Sequence, residues 1–146
     1  MKYERPRERE NQVNEFSTGT HTGQISKVVK TRSKKGNDMF VLTVTGENEE
    51  NGVYFLTFGT EYTEANLSYI LASIQDNGVD IPEEIDFGFN KDTFYFLKNK
   101  DVYIRVEEQE YNGKKRQAIV DFLTVDEYEK DDMFDDEESM YEDSWD

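Results

Sequence analysis

Cysteine is absent from this 146-residue chain, which excludes disulfides and thiolate metal ligands. Histidine occurs once, as His21, so a histidine metal cluster or a Ser-His-Asp relay has almost nothing to draw on. Neither a G-x-x-x-x-G-K-[ST] phosphate loop nor a G-x-S-x-G nucleophile elbow is present. No apolar run approaches the ~18 residues of a membrane span, and the opening MKYERPRERENQ lacks the apolar region of a signal peptide. Carboxylates are abundant, but most fall in polar connectors or near the C-terminus, where nothing desolvates them or shifts their pKa values. These absences predict a cytoplasmic, non-enzymatic protein without a cofactor.

What is present is charge, unevenly spread. Seventeen Lys and Arg face thirty-three Asp and Glu, a net −16. Residues 126–146, DEYEKDDMFDDEESMYEDSWD, hold twelve carboxylates against Lys130 alone, a local −11 that leaves −5 for everything before it. Residues 1–35 carry nine Lys and Arg against four Glu, a local +5. Like charges at the density of the C-terminal stretch repel, and its apolar anchors Phe134, Met140, Tyr141 and Trp145 are too scattered to offset the entropy of ordering. Residues 126–146 therefore read as a disordered acidic tail, and residues 1–15, polar and aperiodic around Pro6, as a flexible arm. In that arm Arg5, Arg7 and Arg9 are interleaved with Glu4, Glu8 and Glu10. The span between, 16–125, is one domain's worth of chain.

Within it the pattern is mainly β. Gly19–Arg32 reads as a long first strand with Gly19 and Gly23 as bend or bulge points. SKKGND (Ser33–Asp38) is a turn, and Met39–Thr45 and Val53–Phe58 form a second and third strand joined by a polar connector. Leu67, Ile70, Leu71 and Ile74 lie at i, i+3, i+4, i+7, one face of a helix that Thr63 can cap and Asn77-Gly78 can stop. Ile81–Asn99, with Pro82, Gly88 and five aromatics, suggests an ordered loop with a short helical turn before Leu97. Val102–Val106 alternates cleanly, Asn112-Gly113 is a strong hairpin signal, and Ala118–Leu123 returns. Three strands, a helix and two strands is the order of an OB-fold, a five-stranded Greek-key barrel with one helix between strands 3 and 4.

Such a barrel receives ligands across strands 2 and 3, between the loop joining strands 1 and 2 and the loop joining strands 4 and 5. The first loop region carries Lys30, Arg32, Lys34 and Lys35; the second carries Tyr111, Lys114, Lys115 and Arg116. Cations that track phosphates, beside aromatic faces on which bases stack, are what a single-strand binder needs. Tyr54, Phe55, Tyr103 and Arg105 are the strand candidates for the platform. Alternation alone leaves open whether Tyr54 or Phe55 faces the core. A homo-oligomer through a strand edge, either Val53–Phe58 or the first strand, also stays open.

The opening Gly19, His21, Gly23 and Ile25–Val28, the run SKKGNDMFVLTV (Ser33–Val44), and LKNKDVYIRVEEQEYNGKK (Leu97–Lys115) occur in the order of a known family. On these motifs the chain resembles, from Thr18 to Leu123, the single-stranded DNA-binding proteins encoded by tailed phages of Gram-positive bacteria. The resemblance implies an OB-fold that coats single strands during phage DNA replication or recombination in the host cytoplasm. It also implies an acidic C-terminus that recruits replication and recombination proteins and competes with DNA for the groove. Phe134, Tyr141 and Trp145 would be the docking residues, although Trp145 is followed by Asp146 rather than ending the chain. Two alternatives belong to other classes: an acidic DNA mimic that inhibits a host enzyme, and a recombination mediator whose DNA contacts are secondary. Placing most of the negative charge in the tail counts against the mimic.

Overall fold

The computed structural model describes residues 1–4 and 14–131. Alternating β-branched and polar residues build five strands: β1 (Gly19–Arg32), β2 (Asp38–Thr45), β3 (Asn51–Thr57), β4 (Lys100–Tyr111) and β5 (Lys114–Leu123). All pair antiparallel in one sheet of order β3-β2-β1-β4-β5. The long β1 serves two partners in succession, β4 along Gly19–Ile25 and β2 along Gln24–Arg32. The irregularity that lets it do so lies between Ile25 and Lys27, not at Gly19 or Gly23. β4 and β5 reach farther than the alternation of Val102–Val106 suggests, because the ladder continues through Gln109↔Arg116 and Glu110↔Lys115 to the turn. There Asn112 (φ 52) and Gly113 (φ 77) both take the positive φ of a two-residue hairpin turn.

Among the described residues three helices accompany the sheet. In α1 (Thr63–Asp76), Leu67, Ile70 and Ile74 are buried as their spacing predicts. Thr63 is the first helical residue rather than the cap. Its hydroxyl donates to the Thr57 carbonyl at 2.7 Å, fastening the helix start to the end of β3. Ser73, also buried, accepts from the Tyr103 N–H (2.8 Å) and lies 3.3 Å from the Tyr103 carbonyl, so one hydroxyl joins α1 to the backbone of β4. The short helical turn expected before Leu97 is α2 (Lys91–Leu97), capped by the Asn90 side chain, which accepts from the Thr93 N–H at 2.9 Å. The third, α3, spans 125–131 and follows β5 directly.

Aromatics close one end of the sheet. Phe40 meets Phe58, Phe89 and Phe94 at centroid distances of 5.0, 5.1 and 5.5 Å, so the loop after α1 is held by its rings. Phe16, 2% exposed, fills a seat near the other end. A Cβ at Gly46 or Gly52 would come within 2.6 or 3.2 Å of its ring, so the seat exists because those side chains are missing.

Two expectations are corrected. The sheet is not closed into a barrel: β3 and β5 are its edges and share no ladder. Side chains occupy the gap instead, with Tyr54 packed edge-on against Phe122 at 5.0 Å and Gly52 beside Ile119. Nor is the acidic stretch irregular from Asp126 onward, since 126–131 is helical. The physical reason is a capping box, Thr124-Val125-Asp126-Glu127. The Glu127 carboxylate accepts from the Thr124 N–H (3.0 Å) and the Thr124 hydroxyl accepts from the Glu127 N–H (3.3 Å). Among the described residues no helix is long and apolar enough to cross a membrane.

Candidate nucleic-acid interface

Strand parity decides which side chains leave the core. On β3, Tyr54 and Leu56 turn inward while Val53, Phe55 and Thr57 turn out. Directly paired residues share a face, so Phe55, Val41 and Val29 form one row across β3, β2 and β1. The flanking rows are Val53–Thr43–Lys27 and Thr57–Met39–Thr31. Phe55 is 60% exposed at the head of its row, and Val53 and Val29 are also exposed. The result is an apolar stripe across three strands, with a free aromatic ring at one end and a lysine in the adjacent row.

The predicted cations divide around it. Lys34 and Lys35 are exposed in the β1–β2 turn; Arg32, exposed beside Asp38 at 3.7 Å, pairs with it on the face of Lys30 and Phe40 and not on the outer face. Lys114, Lys115 and Arg116 begin β5, opposite Tyr111, Glu110 and Gln109 of β4, and Tyr111 is 65% exposed. Arg116 also lies 3.9 Å from the Glu15 carboxylate. The β4–β5 hairpin extends past Gly19, so the two cationic clusters lie toward opposite ends of β1. They bracket the outer face and do not converge on one point.

Tyr103 and Arg105 are occupied from within the chain. The Tyr128 ring of α3 stacks on Tyr103 at 4.6 Å and 18°. The Arg105 guanidinium donates to Asp131 of α3 at 2.8 Å and to Asp121 of β5 at 3.3 Å. Its pKa lies above the already high ordinary value, first through the hydrogen bond to Asp131, against an opposing cost of burial, with the charges of Asp131, Asp121 and Glu107 adding to the rise. An aromatic ring and a carboxylate from the acidic segment thus occupy the side chains suited to a base and a phosphate. Sequence reading missed this contact, although T-x-x-E at Thr124–Glu127 was the available signal. Phe134, Tyr141 and Trp145, and the arginines of the N-terminal arm, lie outside the described residues.

Lys30 stands apart from Lys34 and Lys35. It pairs with the inward-facing Phe40, and its Nζ lies 5.4 Å over the Phe89 ring, so it points toward α2 and not onto the outer face. Together with Phe40, Phe89, Asn90, Lys91, Phe94 and Tyr95 it lines a cleft of about 240 Å³. Lys98, beside the lining, adds a third ammonium, 4.5 Å from the Phe94 ring and 5.2 Å from Tyr95. The aromatics of this segment were visible in the sequence, but their arrangement around lysines from two elements was not.

His21 is half-buried and pairs with the inward-facing Ile104, its Nε2 2.7 Å from the Ser17 carbonyl and its ring packed on Phe16. No group of three or more metal-ligating side chains occurs among the described residues. No protein-family model matches the chain, and no curated protein matches it.

Proposed function

We propose that this chain binds single-stranded DNA without strong sequence preference, through stacking on Phe55 and Lys and Arg contacts to phosphates. The observation that carries the reading is the outer row Phe55–Val41–Val29, an apolar stripe across three strands with an exposed aromatic ring at its head, bracketed by Lys34 and Lys35 in the turn at one end of β1 and by Tyr111, Lys114, Lys115 and Arg116 beyond the other. Stacking tolerates any base because each has a π face, and ammonium and guanidinium groups supply a sequence-independent term. The strand order, with helices between β3 and β4, favours reading the sheet as an open OB-fold, whose ligands cross strands 2 and 3.

In this reading the protein protects single strands during phage DNA replication or recombination. The acidic segment plays two parts. α3 holds Tyr103 and Arg105 until DNA competes for them, and Phe134, Tyr141 and Trp145 then serve replication or recombination proteins as a docking peptide. The exposed ring of Phe55 makes the test clean, because its removal disturbs no core contact. Phe55→Ala is expected to keep the wild-type unfolding midpoint and to weaken binding of an oligo-dT strand about tenfold. A variant that binds as tightly as the wild type removes Phe55 from the platform and the stripe from the argument.

A further inference from the structure

The cleft beside α2 lies where a strand crossing the outer row would go next. Beyond Ile25, β1 has parted from β4, whose ladder with it ends at Ile25↔Lys100. The neighbouring chain there is the end of α2, tied in by the Asn99 N–H donating to the Ile25 carbonyl at 2.7 Å. A path from Phe55 over Val41 to Val29 therefore meets the free edge of β1, and behind that edge stand Lys30, Tyr95 and Lys98.

The lining has the composition a nucleotide needs. Tyr95 is 63% exposed, Phe89 and Phe94 form the apolar wall, and Lys30, Lys91 and Lys98 stand around it. None of these three lysines makes an ion pair among the described residues, Asp92 of the same helix included. In a chain of net −16 such a concentration of unpaired ammonium groups is complementary to a polyanion. The volume of about 240 Å³ exceeds the ~150 Å³ that holds a benzene ring, so one base fits.

We propose that this cleft is a second nucleotide subsite, in which one base of a bound single strand stacks on Tyr95 while the adjoining phosphates pair with Lys30, Lys91 and Lys98. The inference rests on the single-strand reading above. In the unbound protein the Lys30 and Lys98 ammonium groups rest over ring faces. When the strand arrives, a base takes the ring and a phosphate takes the ammonium, so neither is left without a partner.

The test compares full-length wild type with Tyr95→Ala, Tyr95→Phe, Phe55→Ala and Lys30→Gln/Lys91→Gln, using a fluorescent oligo-dT strand. Tyr95→Ala is expected to bind about tenfold more weakly and Tyr95→Phe to bind like wild type, since the phenylalanine ring still stacks. The double lysine variant is expected to lower the slope of log affinity against log salt by about 1.4, two phosphates at ~0.7 each. If Phe55→Ala weakens binding while Tyr95→Ala and the lysine variant match wild type, the subsite is wrong and the outer-face reading survives. Absence of binding by wild type overturns both. If dTMP alone binds the cleft as tightly as the oligonucleotide does, the cleft is a free-nucleotide site and the proposal fails.

Discussion

Tyr54 and Phe55 are adjacent on β3, and the two-residue period of the strand sends them to opposite faces. Tyr54 fills the gap between the sheet edges against Phe122, while Phe55 stands in solvent at the head of the apolar row. Their sequence neighbours are apolar on both sides, so alternation could not say which ring was buried; the pairing of Tyr54 with Leu42 and of Phe55 with Val41 decides it. Burial first, and the Asp121 carboxylate second, raise the Tyr54 phenol above its ordinary pKa of 10.0. The folded state holds this proton more tightly than the unfolded state does. The stability it contributes is complete below pH 10 and is lost as pH rises beyond that. Tyr54→Phe removes the titration, so the drop in urea-unfolding free energy between about pH 8 and about pH 10.5 should be smaller in the variant than in wild type. An equal drop in both would assign the alkaline loss to other groups. At the closed end, Phe40 is 1% exposed and touches three other rings. Phe40→Ala is expected to cost about 3–5 kcal/mol in the same measurement.

At the scale of elements, the strands were legible because β-branched and apolar residues alternate in them, and α1 because four apolar residues share one helical face. The extension of β4 and β5 toward Asn112-Gly113 was not legible, since Glu107–Glu110 and Lys114–Gln117 are polar on both faces and are held by backbone pairing and by contacts from Glu15 and Thr18, remote in sequence. The helix α3 was hidden for a different reason. The charge density of 126–146 argues for disorder, but the Thr124–Glu127 box and the Tyr128–Tyr103 stack compensate locally. Because Tyr128 and Asp131 cover Tyr103 and Arg105, deleting residues 126–146 is expected to tighten oligo-dT binding several-fold at low salt. Asp131→Asn should reproduce part of that gain, read by the same titration. Unchanged affinity in both would mean that α3 does not compete with DNA. The junction of β1 and β2 makes a further test. A methyl group at Gly23 would lie 2.6 Å from Val44 Cγ1 and 3.3 Å from the Thr45 carbonyl, so Gly23→Ala should cost about 1–3 kcal/mol of stability.

For the molecule as a whole, the acidic total describes the C-terminal stretch more than the sheet. The folded part presents lysines and arginines at both ends of β1 and around the α2 cleft, with aromatic rings on the faces between them. Net charge alone would have pointed away from nucleic acid; its distribution along the sequence pointed toward it. What the sequence could not supply was the distinction among the cations. Lys34 and Lys35 are exposed in a turn, Arg105 is held by two carboxylates, and Lys30 and Arg32 belong to the face opposite the outer row. Those differences come from pairing across strands far apart in sequence. The most direct measurement of the central claim is a fluorescence-anisotropy titration of the full chain with single- and double-stranded oligonucleotides of one sequence, at two salt concentrations. Stacking on Phe55 with phosphate contacts from the flanking cations predicts tighter binding to the single strand, weakening as salt rises. Equal affinity for the two forms, or no binding to either, would contradict it.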